Sequence, residues 1–121
     1  MALTLIAFTI ICIAIGEIQV LTTRKVDSAA LMRHFHRSPS WKRLSYLVKV
    51  TQKQIDGYLH CECCKTKEGD MDEDGKAISF HTDHILPKSL YPEYALEISN
   101  TQILCADCNQ AKSNIDFTDW R

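Results

Sequence analysis

The hydrophobic pattern divides the chain into three stretches. Residues 1–16 carry no charged side chain, and Ile18, Val20 and Leu21 extend the apolar run past Glu17 to Arg24 and Lys25. About 20 mostly apolar residues are enough for a helix to cross a bilayer, and flanking basic residues stay on the cytoplasmic side. Residues 1–23 are therefore expected to form a transmembrane helix that anchors the remainder on the cytoplasmic face of a membrane. Two alternatives stand beside it. A secretory signal has small residues available at Ala14-Ile15-Gly16 but lacks a basic start, and a packed core helix is compatible with Glu17 and Gln19.

From residue 24 to 57 the pattern becomes amphipathic, which predicts one helix over residues 27–36 and a break at Ser38-Pro39. Ser38 or Ser40 supplies a cap for the next helix. There Trp41, Leu44, Leu47, Val48 and Ile55 fall mostly at steps of three and four, as in a helix of about 14 residues lying on a core, and Gly57 ends it. Residues 58–121 form the third stretch. Tyr58-Leu59-His60 is extended, Asp74-Gly75 is a tight-turn signal, and residues 77–81 and 100–104 are expected as short strands. Residues 87–94 are expected as a loop and residues 106–114 as a final short helix. The fold class is thus α+β, a small two-stranded core preceded by amphipathic helices and an apolar helix.

A chain of 121 residues makes one small domain once the apolar segment is set aside. Its net charge of −1 hides a division. Residues 24–53 hold eight Lys and Arg against Asp27, whereas residues 54–121 hold six basic and thirteen acidic side chains. Arg33, Arg37, Lys42, Arg43, Lys49 and Lys53 are candidates for contacts with nucleic-acid phosphates; two solvated faces are the plain alternative.

Cys61-x-x-Cys64 and Cys105-x-x-Cys108 are spaced so that each pair can turn both sulfurs toward one tetrahedral ion, and four thiolates make a closed, structural zinc site. Disulfide or redox chemistry is the alternative, with Cys63 a spare in the first knuckle. Between the knuckles, Asp70-x-Asp72-x-Asp74-Gly75 imitates the start of a calcium loop. Its twelfth position is His81 where calcium binding needs a bidentate Glu, so the segment reads as an acidic turn.

Asp83-His84 offers a hard oxygen ligand beside a base that exchanges a proton near neutral pH. Adjacent side chains of a regular strand face opposite ways, so for both to serve one site the strand must end or bend there, and Pro87 agrees with an ending. The order Asp83-His84-Ile85-Leu86-Pro87, Asn100, Cys105-x-x-Cys108-Asn109, Lys112, with the upstream Cys61-x-x-Cys64, resembles the HNH endonucleases of the ββα-metal group over about half of the chain.

The resemblance implies a metal-dependent DNA endonuclease. His84 would be the general base, and Asp83 and Asn109 the ligands of a catalytic divalent ion. Asn109 stands where many members have His. Asn100 would brace the loop between the strands and orient the base, and Lys112 would join the basic residues in contact with DNA, read here as double-stranded. Two protein ligands leave several positions open, which suits magnesium or manganese. The loop carries Leu90-Tyr91-Pro92 where many members place a Gly-Gly. A non-catalytic, zinc-stabilised module that binds nucleic acid or protein is the alternative function; it needs the cysteines but not Asp83, His84 or Asn109.

Overall fold

A computed structural model of the chain describes residues 28–121. The expected anchor over residues 1–23 lies outside the described residues, among which no helix is long and apolar enough to cross a membrane. The elements are helix α1 (Ser28–Arg37), helix α2 (Pro39–Asp56), strand β1 (Phe80–His84), two single 3-10 turns (Pro92–Tyr94 and Ile98–Asn100), strand β2 (Thr101–Cys105) and helix α3 (Ala106–Lys112). The chain divides at Phe35, and His36–Arg121 is a compact unit that contains both knuckles and both strands. Three helices and a two-stranded antiparallel sheet give the α+β class read from the sequence.

Helix α2 is bounded by local chemistry. Ser38 is extended, its Oγ accepts from the Trp41 N–H at 3.3 Å, and Pro39 occupies the first turn, where its missing N–H is no loss. At the other end Gly57 adopts φ 84°, a left-handed conformation that a side chain would strain, and its N–H closes on Lys53 O. The cap and the proline start the helix before Trp41, so it runs to 18 residues and exceeds the expected length.

The strands are antiparallel, with Phe80 opposite Cys105, Thr82 opposite Ile103 and His84 opposite Thr101. β1 begins three residues later than expected. The residues before it are held by the acidic turn instead, with Met71 bridged to Ala77 and Ile78 N–H on Asp70 O. That delay draws Asp83 and His84 into the strand. Asn100 closes a 3-10 turn, which moves β2 one residue later, and α3 stops at Lys112, where Ser113 turns to φ 51°.

The core is small. Cys61, Phe80, Ile103, Leu104 and Cys105 form its centre, with Val48, Leu59, Cys63, Ile78, Cys108 and Trp120 packed around them. Two of the five central residues are thus knuckle cysteines, and the core continues directly into the sulfur cluster.

Candidate metal centre and strand-end site

The four knuckle sulfurs converge. Sγ of Cys61, Cys64, Cys105 and Cys108 all lie within 4.8 Å of one another. A tetrahedral zinc with Zn–S bonds of about 2.3 Å sets its sulfurs about 3.8 Å apart, and Cys64 Sγ is 3.8 Å from Cys105 Sγ. The described cysteines are free thiols, Cys63 among them, and Cys63 stands outside the group of four.

Backbone geometry builds the site. In the first knuckle Lys65 takes φ 64°, its N–H reaches Cys61 O at 2.8 Å, and Cys61 N–H reaches Thr66 O at 2.9 Å. In the second, Cys105 caps α3 and its Sγ accepts from the Cys108 N–H. Burial opposes ionisation of Cys61, but N–H donors from Cys105, Cys64 and Cys63 overcome it and bring the thiol down to about 7. Cys105 and Cys108 are pushed up, first by burial and then by neighbouring sulfurs. A cation would offset the burial that opposes ionisation of Cys105 and Cys108, and four convergent sulfurs fit zinc.

Asp83 and His84 both remain in β1, so their side chains leave on opposite faces. The end or bend expected between them is absent; the strand closes after His84. Asp83 turns toward α3, its Oδ2 lying 3.2 Å from Lys112 Nζ and 3.4 Å from Gln102 Nε2. His84 turns toward α2, stacked on Trp41 with centroids 4.6 Å apart and planes 22° apart. Its Nε2 is 2.8 Å from Ala95 O. A carbonyl can only accept, so Nε2 carries the proton and Nδ1 the lone pair. Burial holds the imidazole below its ordinary pKa, and the Lys88 charge acts the same way, against the bond to Ala95 and the charge of Asp83. The ring is neutral at neutral pH.

The buried carboxamide of Asn100 spans the loop between the strands. Its Oδ1 accepts from Leu86 N–H at 2.8 Å, while Nδ2 donates to Leu86 O and Tyr94 O. Ile85 N–H bonds Asn100 O in addition. Tyr94 precedes Ala95, so this one side chain holds both His84's flank and the carbonyl that fixes its tautomer.

Asn109 is half-buried and lies three residues before Lys112, hence on the same face of α3. Among the described residues its carboxamide makes no hydrogen bond, and neither does Asp83 Oδ1. Two uncommitted hard oxygen donors on packed elements suit a magnesium-like ion better than zinc.

The basic candidates separate. Arg37, Lys42 and Arg43 are exposed, as is Arg33 in the separate unit that ends at Phe35. Lys49 is half-buried with Nζ on Phe80 O at 2.7 Å, and burial lowers its pKa. Lys53 pairs with Glu68 at 2.7 Å. Lys112, expected to face a phosphate, is 3% exposed and bridges His84 O at 2.9 Å and Asp83. It pins α3 to β1, because an ammonium so enclosed needs its acceptors inside. Replacing Lys112 with Met should lower stability by about 2 kcal/mol, since Asp83 reaches solvent and softens the loss. Thermal unfolding measures this, and an unchanged melting temperature would show that the pair holds nothing.

In the acidic turn, Asp72 Oδ1 accepts from Asp74 and Lys76 N–H, and Asp70 Oδ2 from Lys67 N–H. These carboxylates shape the turn. Sequence reasoning missed Trp41 as the His84 neighbour, Gln102 beside Asp83, and the Ala95 carbonyl. Gln102 was recoverable from strand pairing, whereas a backbone carbonyl has no signature in a sequence.

A family model described as HNH endonuclease matches residues 61–114, the segment from the first knuckle to just past α3. No curated protein and no solved structure matches the chain.

Proposed function

We propose, from the match of residues 61–114 to the HNH endonuclease model, that the protein is a metal-dependent DNA endonuclease hydrolysing phosphodiester bonds. The observation that carries this reading is the fixed imidazole: a neutral His84 whose proton is held on Nε2 by Ala95 O, leaving Nδ1 as the base. In the proposed reaction His84 takes the proton of a water that attacks the scissile phosphorus in line, and the products are a 5′ phosphate and a 3′ hydroxyl. Asp83 and Asn109 would hold magnesium or manganese, which when bound neutralises charge on the phosphate and on the departing 3′ oxygen. Asn100 acts through the loop it braces and keeps the base oriented. Lys112 holds Asp83 by one oxygen, which leaves Oδ1 for the cation. The four cysteines hold a structural zinc on this reading.

The burial of His84, 5% exposed beneath Trp41, and its departure from the face of β1 opposite Asp83 favour a second reading, a zinc-stabilised module that binds nucleic acid and does not cleave it. Supercoiled plasmid separates the two. Zinc-loaded protein should cut it when magnesium is added and not when magnesium alone is withheld, and Asn109→Ala should lose at least about tenfold in rate. Cutting that ignores magnesium and survives Asn109→Ala would remove the assigned ligands, and no cutting at any divalent ion would leave the binding module.

A further inference from the structure

We propose that the outward face of α2 is a stacking site for an unpaired base of single-stranded DNA, with Tyr46 as the platform and Lys42 and Arg43 as the phosphate contacts beside it. The inference rests on the nuclease reading for its choice of DNA. Tyr46 is 66% exposed on the side of α2 opposite Trp41, Leu44 and Gln52, which face inward. Lys42 and Arg43 precede it by four and three residues, the spacing that makes side chains neighbours on a helix surface. Both are exposed. Among the described residues none of the three side chains makes a hydrogen bond, ion pair or ring contact, whereas the Lys49 and Lys53 side chains on the same helix are engaged.

The charge around the ring is one-sided. No Asp or Glu occurs between His36 and Ile55, so Lys42 and Arg43 are not neutralised from within the helix. The surface is also fixed to the strand that carries Asp83 and His84. Ser45 Oγ donates to Thr82 Oγ1 at 2.8 Å, and Trp41 stacks on His84. Tyr46 follows Trp41 by five residues, about 7.5 Å of helix rise.

Two unneutralised cations fit any nucleic-acid backbone, but a duplex encloses the faces of its bases and leaves the exposed ring without a partner. An unpaired strand satisfies both, with its phosphates on Lys42 and Arg43 and one base on Tyr46. An acidic protein surface would meet the cations and make no use of the ring.

Fluorescence anisotropy with labelled oligonucleotides tests this on the full, zinc-loaded chain with magnesium omitted. Tyr46→Ala should weaken binding of a single strand about tenfold and leave the matching duplex within about twofold, while Tyr46→Phe binds the single strand like the parent. Lys42→Ala with Arg43→Ala should weaken both and flatten the salt dependence. The proposal is overturned by Tyr46→Ala binding the single strand normally, by equal losses for strand and duplex, or by an RNA strand bound as tightly with the same dependence on Tyr46. Because binding is read without cleavage, failure of the nuclease reading leaves this measurement standing, and failure of stacking leaves magnesium-dependent cutting untouched.

Discussion

Replacing Cys61 with Ser is expected to unfold the unit His36–Arg121, the largest effect on stability that any single substitution in it should have. Cys61 is fully buried at the centre of the core as well as being a member of the sulfur cluster. Few apolar residues are buried elsewhere: Trp41, Leu44, Phe80, Ile85, Ala95, Ile103 and Leu104 complete the set apart from Cys105. A core of that size leaves little margin, because whole domains are stable by only about 5–15 kcal/mol. Binding of zinc to small cysteine sites is worth about 10–16 kcal/mol and is coupled to folding. Circular dichroism on heating, together with the zinc content of the purified protein, reads the outcome. The parent should hold one zinc and melt cooperatively, Cys61→Ser should show neither property, and Cys63→Ser should behave like the parent. A cooperative transition near the parent's in Cys61→Ser would mean that the core stands without the metal.

The parts legible in the sequence are those set by local chemistry. Ser38, Pro39 and Gly57 act on their own neighbours, so the limits of α2 follow from residue types alone. The two Cys-x-x-Cys pairs are likewise legible as local motifs, and their four sulfurs converge to within 4.8 Å of one another, as one tetrahedral ion would require. The phase of β1 was less legible, because residues 77–79 suit a strand equally well but are held by the acidic turn, a competition decided by tertiary contacts. That shift of three residues determines where Asp83 and His84 point. Lys112 shows a second limit. A lysine near a cluster of presumed ligands reads as a surface cation, and only the docking of α3 on β1 reveals its inward path to His84 O. The Ala95 carbonyl, which determines the histidine tautomer, could not have been read from any side chain.

His84→Ala is expected to cost the largest factor in activity. Removing a general base typically loses about a hundredfold to ten-thousandfold. The ring also packs on Trp41 and anchors to Ala95 O, so truncation will lower stability as well. Zinc content and the melting curve must therefore accompany every rate, and His84→Gln serves as a less disruptive companion. The parent's pH profile supplies an independent sign. On the proposed mechanism the basic form is the working one, and burial lowers the imidazole's pKa, so activity should persist as pH falls to the ordinary histidine value of 6.5 and disappear below it.

The most direct measurement is the rate of magnesium-dependent plasmid cleavage by His84→Ala at neutral pH, made on folded, zinc-loaded protein whose DNA affinity matches the parent's. The account predicts a rate at or below about one hundredth of the parent's. Cleavage at the parent's rate would contradict it, and would mean that His84 is a packed core histidine with no part in the chemistry.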